Sequence, residues 1–311
     1  MPKPLPSNST SSAPSRSTFA GDEFSNNIVS DLAPLLTLFG EQITKQFLSF
    51  SMGWADSILL AVGPLGIVTI VISTIRVGGA KRLKAFVGRA RESKAAAEAE
   101  LLSSTSANVC ELWNGQEIVR PFGVPNTKEL ILYADAGGKL TVLTLESAVR
   151  SGFLKEDTGR RQSKVDVTAL GNEAPNIALN ITGATAQPAE LWMWAIFGVL
   201  VQSSALLIPA LSAYYWSWPK GDNSIPSYGF PCFIAGSVGI LVGIILCSYT
   251  IEASTTEHDF ILDPHISASM RPVYIQLGCT VGDQRYHSHL LCREKSIGRV
   301  RTSRLNDKNN K

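Results

Sequence analysis

Three stretches of the chain, 57–75, 191–216 and 228–251, carry no charged side chain at all. At 1.5 Å per helical residue the shortest is about 28 Å long, close to a hydrocarbon core of about 30 Å, and the longer two fit with some tilt. Core helices of soluble domains seldom reach this length, so the pattern predicts a membrane protein with three transmembrane α-helices, over 54–76, 189–218 and 228–251. Aromatic residues gather at their ends. Trp54 precedes the first, Trp192 and Trp194 open the second, Tyr214, Tyr215, Trp216 and Trp218 close it, and Tyr228 and Phe230 open the third. Such clusters form the interfacial belt of membrane spans. The link "SWPKGDNSIPSYG" is rich in turn formers and predicts a helical hairpin between the second and third spans.

Other periods fill the rest of the chain. Residues 1–30 are rich in Ser and Pro, with no apolar run for a signal peptide, and read as a disordered tail. Over 31–53, Leu32, Leu35, Leu36, Phe39, Ile43, Phe47 and Phe50 recur at helical steps. They predict an amphipathic helix lying in the membrane interface, with a packing helix as the alternative. After the first span, 77–103 reads as a basic juxtamembrane helix ending in a strong helix former, "ESKAAAEAELL". Residues 104–188 change to short β-rich pieces, "GQEIVRPFG", "ELILYAD", "KLTVLTLE" and "NIALNITG", and predict a small cytosolic α+β domain between the first and second spans. Residues 252–311 form a second cytosolic piece with one strand at "PVYIQLG" and a basic end.

Charge sets the orientation. Arg76, Lys81, Arg82, Lys84, Arg89, Arg91 and Lys94 follow the first span, whereas 37–56 holds the single cation Lys45. The positive-inside rule puts residue 76 onward in the cytosol, the N-terminus in a lumen or outside the cell, and the C-terminus in the cytosol. The same seven cations form a lipid-facing basic cluster for the anionic inner leaflet. A net charge of +2 gives no argument for nucleic acid, and charged residues at 17% fall below the roughly 25% usual in soluble chains. Asn8 and Asn180 head N-x-[ST] sequences; this topology makes Asn8 the glycosylation site and leaves Asn180 unmodified.

Chemistry is sparse. No GxSxG, P-loop, GxGxxG or HExxH sequence occurs. Cys279, His287, His289 and Cys292 share one segment, but their spacing fits no zinc finger or ribbon, so no metal site is expected. Cys110 reads as a packing residue, and Arg160–Ser163 as a short basic loop. The apolar stretches hold no ionisable group of the kind that marks a transport path. Ala235, Gly239, Gly243 and Cys247 recur every four residues on the third span and predict helix packing, against the second span or another copy.

The stretches "LFGEQITKQFLSFSMGWADSILLAVGPLGIVTIVISTIRVGG", "GRARESKAAAEAELLSSTSANVCELWNGQEIVR", "APNIALNITG", "CSYTIEASTTE" and "QLGCTVGDQRYHS" resemble a group of uncharacterised fungal multi-pass membrane proteins, some carrying ankyrin repeats elsewhere. The resemblance covers most of 37–305, implies membrane topology, and lends no activity; the chain itself has no ankyrin pattern. The expectation is a non-enzymatic scaffold or sensor that displays a cytosolic module and needs no cofactor. Its partners would be membrane lipids, a cytosolic protein and a further copy of itself. An oligomeric channel or transporter component is the alternative.

Overall fold

The structure is a computed structural model and describes residues 32, 34, 39–51, 53–63, 66–123, 127–134, 139–157, 173–181, 188–216, 227–262, 269–293 and 298–306. The tail with Asn8, the loop with Arg160–Ser163 and the expected turn at 217–226 lie outside them. The helices are α1 (39–50), α2 (Trp54–Val62), α3 (Ile67–Gly78), α4 (Lys81–Phe86), α5 (Lys94–Leu101), α6 (Leu145–Arg150), α7 (Ala178–Ile181), α8 (Pro188–Ala210) and α9 (Gly229–Glu252). Among the described residues two helices are long and apolar enough to cross a membrane: α9, and α8 extended by a π turn over Leu211–Tyr215 just after Pro209. Proline removes one rung of the α-helical ladder, and a wider turn at that point keeps the helix going. Only 6% of the apolar window of each is buried, so neither is the core helix of a soluble fold.

The first apolar stretch is not a third helix of this kind. It breaks between Val62 and Ile67 and turns back. Ser57 near the start of α2 takes a 2.9 Å hydrogen bond from the Ser248 hydroxyl, and the Trp54 ring stacks on Tyr249 with centroids 5.9 Å apart. Thr74 near the end of α3 donates to the carbonyl of Cys247, and Gly78 faces Thr250 so closely that a Cβ would stand 2.9 Å from its methyl. Both ends of 54–78 therefore meet α9 at residues 247–250. A continuous helix would set Ser57 and Thr74 about 25 Å apart. The physical cause is written between Gly63 and Gly66, where Pro64 offers no N–H to continue a ladder and glycine adds conformational freedom on both sides. The lumenal N-terminus rested on a crossing here, and loses that support.

Helix α1 closes the turn. Gly40, Thr44 and Leu48 form its buried edge, and Gly66 lies so near that a Cβ would meet Thr44 Oγ1 at 2.6 Å and the Gly40 carbonyl at 2.9 Å. The expected stripe is split: Phe39, Ile43 and Phe50 are exposed, while Phe47 packs against the core below. Leu48, Leu60, Ala61, Ile70, Leu102, Ile244 and Ile251 make one core at the foot of α9.

The β-rich region is built from both stretches expected to be separate. β7 (Ser269–Gln276) lies between β10 (His289–Cys292) and β3 (Thr127–Ala134), with β4 (Leu140–Thr144) outermost. β6 (Thr255–Leu262) lies between β5 (Leu154–Glu156) and β11 (Arg299–Leu305). All these pairs are antiparallel; Leu130 stands opposite Val273, and Thr255 opposite Leu305. Ile131, Leu145, Leu154, Phe260, Met270 and Val300 fill the space between the two sheets under α6. Two hairpins, β1 (Leu112–Trp113) with β2 (Ile118–Val119) and β8 (Cys279–Val281) with β9 (Gln284–Tyr286), pack beside them around Cys110, Leu112, Ala174 and Tyr286. Residues 252–306 thus supply the central strands of the module rather than a trailing piece.

One expected strand is a helix. In "NIALNITG", Asn176 just before α7 and Asn180 within it face the edge of β11. Asn180 Oδ1 accepts the Arg301 N–H at 2.9 Å and its Nδ2 donates to the Arg301 carbonyl at 2.9 Å, as a paired peptide would. Asn176 Oδ1 accepts the Ser303 N–H at 3.0 Å, and its Nδ2 donates to the Ser103 carbonyl at 2.9 Å. Side-chain amides thus satisfy the strand edge that another strand would have covered.

Candidate functional site at the foot of the helices

The module grows out of the foot with little slack. Only Ala253 and Ser254 separate α9 from β6, and Leu305 at the end of β11 packs beside the core that holds Ile244 and Ile251. Thr105, just past α5, donates its N–H to the Ser303 carbonyl at 3.2 Å, while the Ser103 and Ser303 hydroxyls lie 3.0 Å apart. Basic segment, folded-back helices and module meet here.

The first cation of the expected lipid-facing cluster sits inside this junction. Arg76 is 2% exposed. Its guanidinium grips Glu92 with Nε and Nη2 at 2.6–3.1 Å and reaches Glu100 as well. Glu100 also meets Lys45 of α1 at 2.7 Å, and Lys45 meets Glu41 at 2.6 Å. A guanidinium removed from water requires carboxylates in a fork geometry; the turn before α5 supplies Glu92 and α5 itself supplies Glu100. The hydrogen bond from Arg76 pulls the Glu100 pKa down to about 2, with Lys45 adding to the effect. Arg76 is therefore a tie rod, and the cluster that faces outward consists of Lys81, Arg82, Arg89, Arg91 and Lys94, with Lys84 half-buried.

A second polar network lies deeper in the module. Glu98, 1% exposed, accepts from Ser104 Oγ at 3.0 Å and Ser106 Oγ at 2.9 Å. Arg120 donates to the carbonyls of Glu98 and Ser104 and faces Glu111, which accepts the Ala178 N–H at 2.7 Å. Arg304 donates to Thr105 Oγ1, the Ala174 carbonyl and Asn176 Oδ1, and pairs with Glu173 at 2.9 Å. Burial pushes Glu98 and Glu111 up and Arg120 and Arg304 down, each opposed by its partners. These groups fasten loops to strands. Arg299 and Arg301 are likewise paired, with Asp157 and Asp259, so these β11 cations are held within the module.

The remaining sequence sites are dispersed. Gly239 and Gly243 of α9 have nothing within 4 Å of a Cβ and Ala235 is exposed, while Cys247 is half-buried beside the foot core. That stripe is open for most of its length, and α8 does not cover it. Asn180 is buried with its amide fully engaged. Burial pushes the Cys110 thiol up to about 12, so it is inert at neutral pH. Among the described residues no three His, Cys, Asp or Glu side chains gather as metal ligands would; Cys279 is in β8, while His289 and Cys292 are in β10. The residues that sequence reasoning missed are Lys45, Glu92 and Glu100. Their signal was the return of Glu immediately after the basic run in "RESKAAAEAE".

Comparison with family models, characterised proteins and solved structures finds no match for the chain. Its functional reading is built from the geometry above.

Proposed function

We propose that the chain is an integral membrane protein that crosses the bilayer twice, through α8 and α9, and carries a non-catalytic module pressed against one leaflet as a scaffold or sensor. The observation that supports it best is the absence of slack at the foot. Helix α9 passes into β6 after two residues, and β11 returns to the same core. A module tethered for display alone would hang on a flexible linker; one built into the helix foot transmits changes in the bilayer to its sheets. The segment 54–78 and α1 then occupy the module-side leaflet, with Phe39, Ile43 and Phe50 turned to lipid. The basic segment puts this face in the cytosol.

The folded-back helices also favour a second reading, an oligomeric channel component, because irregular backbone at membrane depth is tolerated where it lines a water-filled path or is buried in protein. Here Gly66 packs against Gly40 and Thr44 of α1, and Val62 packs against Gly198 of α8, while Gly63, Ile67 and Val68 are exposed. No ionisable side chain occurs in 57–75 to line a water-filled path. These two observations favour the scaffold reading. Reconstitution of the full chain into proteoliposomes separates the readings. The scaffold reading expects no ion or solute flux above empty vesicles, together with altered hydrogen exchange in β6 and β11 when bilayer composition changes. Flux proportional to protein, with exchange in those strands unmoved, would replace it by the channel reading.

A further inference from the structure

A cleft of about 570 Å³ opens where α3, α5 and α9 end at the foot. Lys81 and Lys84 of α4 and Lys94 of α5 line it, with Tyr249 and Ser254 at the end of α9 and Glu98 at its inner wall. Among the described residues neither Lys81 nor Lys84 has an ion-pair partner. Two lysines lining one cleft without ion-pair partners repel each other, and they gain when an anion enters. The carbonyl ends of α3 and α9 point towards this region and carry partial negative charge, so the lysines decide its sign. Among the described residues the one carboxylate in the wall is Glu98, which is 1% exposed and already bound to two serine hydroxyls.

The depth of the cleft suits a lipid. It lies beside the end of a helix long enough to cross a bilayer, at the level of Tyr249. Helix α4 alternates its lysines with Leu83, 49% exposed, and Phe86, 88% exposed, apolar side chains without protein neighbours to cover them. Ammonium groups at headgroup level and an aromatic ring directed to the acyl boundary form an interfacial pair.

We propose that this cleft binds the phosphorylated headgroup of an anionic phospholipid, with Lys81, Lys84 and Lys94 on the phosphate oxygens and Phe86 in the interface. The proposal rests on the membrane reading above and deepens it, from a general attraction of basic residues for a charged surface to one built pocket. The shared chemistry is a phosphate dianion, which a lipid or a soluble phosphate could supply.

The full chain in neutral detergent is melted with and without dioctanoyl phosphatidylinositol 4-phosphate, and in parallel with its soluble headgroup, inositol 1,4-bisphosphate. A ligand at a hundredfold its Kd stabilises by about 2.7 kcal/mol, a shift of several degrees. The parent should show that rise with the lipid. Lys81→Gln/Lys84→Gln should lose at least half of it, Lys81→Arg/Lys84→Arg should keep it, and Arg89→Gln/Arg91→Gln, the same charge removed outside the cleft, should keep most of it. A photoactivatable analogue of the lipid should cross-link to 77–84 or 249–254. Equal responses of the two Gln pairs, no rise in the parent, or cross-links elsewhere would overturn the pocket. An equal rise with the soluble headgroup would overturn its assignment to lipid. Carbonate extraction of native membranes tests the underlying reading separately: release of the chain removes the membrane assignment, whereas retention alongside equal Gln responses removes the pocket alone.

Discussion

Residues 57–75 and 228–251 are nearly indistinguishable by apolar content, both without charge, yet one folds back on itself and the other is a single helix of 24 residues. The difference lies in where the breakers stand. Gly63, Pro64 and Gly66 fall within four positions at the middle of the first, whereas Gly236, Gly239 and Gly243 of α9 are spaced along a helix that has no proline past its first turn. Helix α8 makes the same point from the other side, since its one interior proline, Pro209, costs a π turn and not the helix. The ends differ too. The folded-back segment closes on Arg76 and its two carboxylates, which tie it to α5, while α9 leads straight into a strand. An apolar run of sufficient length leaves open whether the chain continues as one helix; clustered breakers permit a reversal, and packing against α1 holds it.

The tie at Arg76 should be the costliest part of this contrast to remove. Arg76→Met leaves Glu92 and Glu100 facing each other without their buried cation, a loss of about 3–5 kcal/mol. Unfolding of the purified chain in mixed micelles measures it. Acid gives the same interaction a pH signature. The Glu100 pKa is lowered to about 2 from 4.5, so its contribution is complete above 4.5 and fades as pH falls towards 2. Arg76→Met should flatten that part of the acid profile; an unchanged profile would place the stabilisation elsewhere.

Next in size is the asparagine that stands in for a strand. Asn180→Ala strands the N–H and carbonyl of Arg301, and should cost about 2–3 kcal/mol, with faster hydrogen exchange at β11. Exchange unchanged at Arg301 would mean that α7 does not hold that edge.

At the turn, Gly66→Ala drives a methyl into the Thr44 hydroxyl and the Gly40 carbonyl, for about 1–3 kcal/mol. Adding Thr44→Ala should restore only part, because the backbone contact with Gly40 persists. Full restoration would show that the backbone approach is looser than described.

The smallest effect is expected in α9, and of opposite sign. Gly239→Ala and Gly243→Ala add a methyl to open space in a helix interior, which favours the helix by up to about 1 kcal/mol. A clear loss in the native membrane, absent in detergent monomers, would reveal a partner on that face.

Much of this architecture was legible in advance. The two long helices, the β3–β4 hairpin and the strand at β7 follow from composition, periodicity and turn chemistry. What escaped depends on partners far away in sequence. Gly63, Pro64 and Gly66 lie inside an uncharged run that reads as one span, and the reversal becomes visible only with α1 packed on Gly66. Arg76 belongs by position to a basic surface run, and only the return of α5 makes it a buried ion. Asn180 reads as a glycosylation acceptor or a strand residue, until β11, 121 positions later, claims its amide. Strands 255–305 look like a tail because nothing local says that β7 enters between β3 and β10.

The reversal of residues 54–78 is the claim on which the membrane arrangement turns, and one distance tests it. Spin labels at Trp54→Cys and Ala80→Cys, both exposed positions, are introduced after replacing the exposed Cys232 and Cys292. Each end of the segment packs against α9 at residues 249–250, and packed helices lie about 8–10 Å from one another, so pulsed electron resonance in nanodiscs should give a separation below about 25 Å. A distance near 39 Å, the length of 26 residues in one continuous helix, would restore a third crossing and contradict the account.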